Sequence, residues 1–80
     1  MMVNFVANSK VTQISNVPEN GLIIYEDYFG MSSGFESARE YNGEKFINVR
    51  WISDHHPKYG NSTDLPVTTM VEFITNLSQT

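Results

Sequence analysis

The sequence of 80 residues contains no cysteine. That excludes disulfide staples and thiolate metal sites, and it fits a reducing compartment such as the cytoplasm. Cations are scarce as well: five Lys and Arg stand against nine Asp and Glu, for a net charge of −4. Neutralising a phosphate backbone needs a basic surface, so direct nucleic-acid binding and acidic partners in general are disfavoured, whereas basic protein partners are compatible. No apolar run approaches the roughly 20 residues of a membrane span. The start Met1-Met2-Val3-Asn4-Phe5 lacks the charged region and apolar stretch of a signal peptide, so no membrane association is expected. No repeat, linker or low-complexity tract divides the chain. Residues 1–80 therefore read as one small domain, near the lower size at which a single core suffices.

The strongest positive signal is Asn42-Gly43, set between two alternating runs. Asn and Gly tolerate the positive φ that a two-residue type I′ turn requires at both central positions. That turn pairs Glu40 with Lys45, Ala38 with Ile47 and Glu36 with Val49 on one face, with Trp51 beyond. The other face pairs Tyr41 with Glu44, Arg39 with Phe46, Ser37 with Asn48 and Phe35 with Arg50. Ala38, Ile47, Val49 and Trp51 make the first face the core candidate. An alternative reads Ser33 and Glu36 as a capping box, with Asn42-Gly43 stopping a short helix over 34–41.

Upstream, Val3 to Ala7 and Lys10 to Ser15 alternate and could turn at Asn8-Ser9. Pro18-Glu19-Asn20-Gly21 predicts a tight turn, with Gly21 available for positive φ. The continuous apolar start of Leu22 to Phe29 suggests a central strand covered on both faces, followed by a flexible loop from Gly30 to Gly34. Downstream, Pro66 presets a helix start, and Thr69 with Glu72 has capping-box spacing. Met70, Phe73, Ile74 and Leu77 then recur at i, i+3, i+4 and i+7. The expected fold is α+β: an antiparallel β-sheet of four or five strands with one C-terminal α-helix packed on one face. Trp51, Ile47, Val49, Ile24, Phe73, Ile74 and Leu77 should centre the core.

Three groups of residues carry chemistry. Asp54-His55-His56 offers imidazole and carboxylate ligands for a divalent ion. Adjacent histidines in extended chain point apart, however, and no third histidine exists, so surface histidines before Pro57 are the plainer reading. A triad of Ser53, His56 and Asp64 can be assembled only on paper. Phe35, Arg39, Tyr41, Phe46 and Arg50 form the polar-aromatic hairpin face, of the residue types that dominate binding hot spots. Their plainer role is a second core surface under Arg stems. Tyr25, Glu26, Asp27, Tyr28 and Phe29 add an acidic-aromatic segment, whose plainer reading is a solvated strand end.

No cofactor motif and no convincing catalytic set appears. The reading is a non-enzymatic protein-binding module. It would act as a small acidic inhibitor or adaptor of phage or mobile-element style, docking on a larger host protein or nucleic-acid-processing complex. Tyr25, Glu26, Asp27, Tyr28, Phe35, Arg39, Tyr41, Phe46 and Arg50 are its partner-binding candidates. The alternative is a small metal-binding or hydrolytic protein using Asp54, His55 and His56. The exposed edges of so small a sheet also allow a homodimer.

Overall fold

A computed structural model describes the backbone of residues 5–52 and 55–79, and the side chains of residues 8–52 and 55–75. In chain order the elements are β1 (Phe5–Gln13), a 3-10 helix (Ile14–Asn16), β2 (Leu22–Tyr25) and β3 (Tyr28–Ser32). A second 3-10 helix (Phe35–Ser37) precedes β4 (Arg39–Tyr41), β5 (Glu44–Trp51), β6 (Ser62–Pro66) and β7 (Met70–Gln79). Every pairing is antiparallel, and the strands run in the order β1-β7-β2-β3-β5-β4, with β6 also paired to β5. Phe46 pairs with both Arg39 and Pro66, and Arg50 with both Met31 and Ser62. A residue has one partner on each edge, so β3 and β4 share one edge of β5 end to end and β6 takes the other.

The sheet rolls around its own core. Val67 donates its N–H to Lys45 O and accepts from the Ser15 N–H, both at 3.1 Å, and Ile14 N–H reaches Thr69 O at 2.8 Å. These bonds carry the sheet from β5 round to the end of β1. Inside lie Ile14, Val17, Ile23, Ile47, Val49, Trp51, Leu65 and Val71. Away from this roll, β2 meets β7 only at Glu72 and Phe73, while the β1–β7 ladder continues out to Phe5 and Gln79. That two-stranded ribbon draws the molecule out to 52 × 25 × 16 Å.

The hairpin at Asn42-Gly43 forms as expected: φ is 52° and 81° there, and Arg39, Glu40 and Tyr41 pair with Phe46, Lys45 and Glu44. Its expected core face is also the buried one, with Ile47, Val49 and Trp51 inside and Ala38 packed against them. Pairing stops at Arg39, because Phe35–Ser37 turns into a 3-10 helix. The expected opposition of Phe35 to Arg50 and Ser37 to Asn48 is therefore absent. The helix alternative over 34–41 contributes only that single turn.

The α+β assignment is overturned. Among the described residues no helix exceeds three residues, and the segment expected to be the C-terminal helix is strand β7. The register explains the false periodicity. Asn8 pairs with Asn76 but Ser9 with Ile74, so Thr75 is an extra residue bulged out of β7. Its hydroxyl donates to Asn8 O at 2.9 Å. Val71 and Phe73 lie on the inner face, whereas Met70 and Ile74 alternate onto the outer one. The bulge then breaks the simple alternation before Leu77 is reached. Two faces and one bulge thus imitate a single helical stripe. Of the expected core, Phe73 packs against it half-buried and Ile24 is half-buried on the outer face. Ile74 is buried apart from the main cluster, and the burial of Leu77 lies outside the described side chains.

Three further expectations change. Asn8-Ser9 is not a turn but the middle of β1, opposite the bulge. The turn at Pro18–Gly21 is present, closed by Gly21 N–H to Pro18 O at 2.9 Å, but Asn20 supplies the positive φ of 65°. Leu22 to Phe29 is not one strand: Glu26 and Asp27, at φ 53° and 67°, turn it into the β2–β3 hairpin. That turn type favours Asn-Gly, and a Cβ makes the left-handed conformation costly. Asp27 is exposed, so Asp27→Gly should raise stability by about 0.5–1 kcal/mol, the relief of strain exceeding glycine's extra unfolded-state entropy. An unchanged or lower urea midpoint would show instead that the carboxylate is held by a contact.

Candidate functional site

Much of the outer face of the rolled sheet is exposed or half-buried among the described residues. On β5, Phe46, Asn48 and Arg50 alternate with the buried Ile47, Val49 and Trp51 and so point outward. The register extends this face sideways: Arg50 is opposite Met31, Phe29 opposite Ile24, Ile24 opposite Glu72, and Glu72 opposite Val11. Ile52 adjoins Phe29 through its N–H to Phe29 O at 3.1 Å. An apolar row therefore crosses the sheet, interrupted only by Glu72, whose carboxylate accepts from Ser9 Oγ at 2.8 Å. Phe29, Ile52, Met70 and Val11 are 42, 49, 54 and 70% exposed.

Beside this row, a cleft of about 430 Å³ opens between β3, β5 and the second 3-10 helix. Arg39 and Arg50 both line it, together with Asn48, Ser32, Ser37, Ser62 and Glu19. Asn48 donates to Asp64 Oδ1 at 3.1 Å, which fixes its amide in the wall. A second depression of about 390 Å³ continues from Glu19, Ser33 and Ser37 toward Val17, Pro18 and Phe35.

The aromatic candidates separate. Phe35 lies in the 3-10 helix beneath Lys45, whose Nζ is 5.1 Å from the ring centre. Arg50, expected there, instead stands by Met31 and Ser62. Tyr41 and Phe46 meet across the hairpin at 5.9 Å. Tyr25 and Tyr28 turn inward and pack half-buried on the core, leaving Glu26 and Asp27 exposed at the hairpin tip.

His56 is buried at 4% exposure. Its ring lies 4.6 Å from Tyr28, 4.6 Å from Tyr59 and 5.0 Å from Trp51. Nδ1 accepts the Lys58 N–H at 3.0 Å, which places the proton of the neutral ring on Nε2. Nε2 is 2.9 Å from Glu26 Oε2, yet it makes no hydrogen bond. The carboxylate is therefore an electrostatic neighbour off the N–H direction. Burial, then the Glu26 carboxylate and Tyr59, push the Tyr25 hydroxyl above its ordinary pKa. Tyr59, by hydrogen bonding and charge, and then Glu26 hold the Lys58 ammonium above its own.

This arrangement is a minor core that pins the 55–60 loop, closed by the paired backbone bonds of His56 and Gly60 at 2.8 and 2.9 Å. It leaves His56 no free lone pair for a metal. His55 is exposed, and Asp54, like Ser53, lies outside the described residues. Among the described residues no three His, Asp or Glu side chains converge, and Asp64 is bonded to Asn48 rather than to His56.

No family model, curated protein or solved structure matches this chain. Function has to be read from the outer face and its cleft. Sequence reasoning placed Arg39 and Arg50 on one surface and counted Phe29 in the acidic-aromatic segment, but missed Ile52, Val11 and Met70. The hairpin at Glu26-Asp27 was the missing signal, because only that turn sets Phe29 against Ile24 on the outside. No helix among the described residues is long and apolar enough to cross a membrane.

Proposed function

We propose that this protein is a non-enzymatic binding module, an inhibitor or adaptor that docks on a larger protein through the outer face of its sheet. One observation carries the reading. The face left open where a helix was expected presents Val11, Phe29, Ile52 and Met70 to solvent beside Arg39 and Arg50. Apolar side chains with arginine, on strands fixed by their ladder, are the composition of a docking surface rather than of a solvated sheet. The rigid backbone also means that little ordering entropy opposes association.

The test is capture from the lysate of the native host with tagged protein, followed by hydrogen exchange on the purified complex. The expected result is one stoichiometric protein partner, with protection confined to β3, β5 and the outer row. Phe29→Ser and Arg50→Glu, each verified as folded by circular dichroism, should lose it. A partner retained by both variants, or protection mapped to the 55–60 loop, overturns the reading. So does a homodimer in sedimentation that covers the same face.

A further inference from the structure

The cleft beside β5 has a charge pattern unlike the rest of the molecule. Two of the chain's five cationic side chains line it in a protein of net charge −4. Among the described residues neither arginine has an ion-pair partner, the one close pair being His56 with Glu26. Arg39 arrives from β4 and Arg50 from β5. Hydroxyl groups complete the wall: Ser37 from the 3-10 helix and Ser62 from β6 opposite Arg50. Ser32 also borders the cleft, but it pairs with the inward Val49, is buried, and its Oγ accepts the Gly34 N–H at 3.0 Å.

We infer that this cleft is an oxyanion site, and that it takes a phosphate monoester carried on a side chain of the protein partner. The source of the phosphate rests on the binding-module reading; the oxyanion chemistry does not. Guanidinium groups donate in a planar fork that matches phosphate and carboxylate oxygens. A carboxylate offers two oxygens, whereas a phosphate monoester offers three with a charge of about −1.5 to −2. Two forks and two hydroxyls match the larger acceptor set. The surroundings set the shape of the ligand. Glu19 lines the cleft and Glu36 the depression next to it. A positive site with carboxylates beside it attracts one compact anion and repels the flanking charges of a nucleic-acid strand. Glu19 then works against binding and sets a threshold that a singly charged ligand does not clear.

An NMR titration of the purified chain, following backbone amides, tests the inference without any partner present. The probes are phosphoserine blocked at both ends, acetate, dimethyl phosphate and a short single-stranded oligonucleotide. Phosphoserine should bind saturably, shifting amides of residues 32–37, 39, 48–50 and 62, and acetate and dimethyl phosphate should bind more weakly. Arg39→Gln and Arg50→Gln should each weaken phosphoserine about tenfold or more, and Glu19→Gln should tighten it. All three residues are exposed, so the variants keep the fold. Absence of saturable binding, binding indifferent to both arginine variants, or tighter binding of the oligonucleotide overturns the inference. If phosphoserine fails while partner capture still depends on Arg50 and Phe29, the oxyanion assignment falls and the binding module stands. If phosphoserine binds as expected but no partner is captured, the module reading falls alone.

Discussion

Trp51→Ala should cost about 3–5 kcal/mol, the range for deleting a buried large aromatic. A chain of 80 residues carries a total stability of roughly 4–12 kcal/mol, so the variant should be largely unfolded in mild denaturant. Trp51 joins two parts of the structure. Its backbone N–H holds Asn61 O at 2.9 Å, and its ring is flanked by Tyr25 at 6.5 Å and Tyr59 at 6.3 Å, with His56 at 5.0 Å. Deleting the ring opens a cavity in the main core and at the same time wets His56. Trp51→Phe should cost markedly less. It keeps an aromatic body and removes Nε1–H, which is buried without an acceptor among the described residues and costs about 1–3 kcal/mol in that state. Urea titrations of the three proteins decide the matter. A loss below about 1.5 kcal/mol for alanine would mean that the 55–60 loop is held by its own bonds rather than by Trp51.

Gly30→Ala should destabilise by about 1–3 kcal/mol through overpacking. Gly30 lies on the inner face of β3, opposite Ile23 and Trp51. A Cβ there would stand 2.5 Å from Val49 Cγ1 and 3.0 Å from Trp51 Cε3. Both neighbours are buried, and Val49 is β-branched with little rotamer freedom, so neither can swing aside. The sign makes the test sharp. In a strand with room to spare, alanine would be better than glycine by about 0.5–1 kcal/mol. Gly30→Ala combined with Val49→Ala should recover part of the loss, because the second change removes the clashing methyl. Additive costs in that double-mutant cycle would place the strain elsewhere.

Gly30 also marks where local reading of the chain fails. As part of Gly30-Met31-Ser32-Ser33-Gly34 it looks like loop punctuation, and only the neighbouring strand shows that its lack of a side chain serves close approach. Asn42-Gly43 was legible because the turn type needs those residues and fixes the register of its neighbours without tertiary help. Glu26-Asp27 was not, since the turn there is imposed by the packing of Ile23, Tyr25 and Tyr28 against the core. Thr75 carries no sequence mark of a bulge, so the break in the β1–β7 register was invisible. The two arginines were placed on one face by hairpin arithmetic. Their shared cleft required β3, whose second half reads as a loop in the sequence, and the 3-10 helix at Phe35–Ser37, which the same arithmetic assigns to an extended strand.

The position of β7 has a consequence for how the chain comes to be folded. The strand made last lies in the interior of the sheet, between the strand made first and β2. While the chain grows from the ribosome, β1 and β2 lack the partner that separates them, and the hairpins formed meanwhile have no closed core to rest on. Assembly therefore waits for β7 to emerge, and then depends on loop closure across almost the full length of the sequence. Such non-local pairing places folding in the slow regime of milliseconds to seconds. Until then, the edges of β1 and β2 are open to other chains.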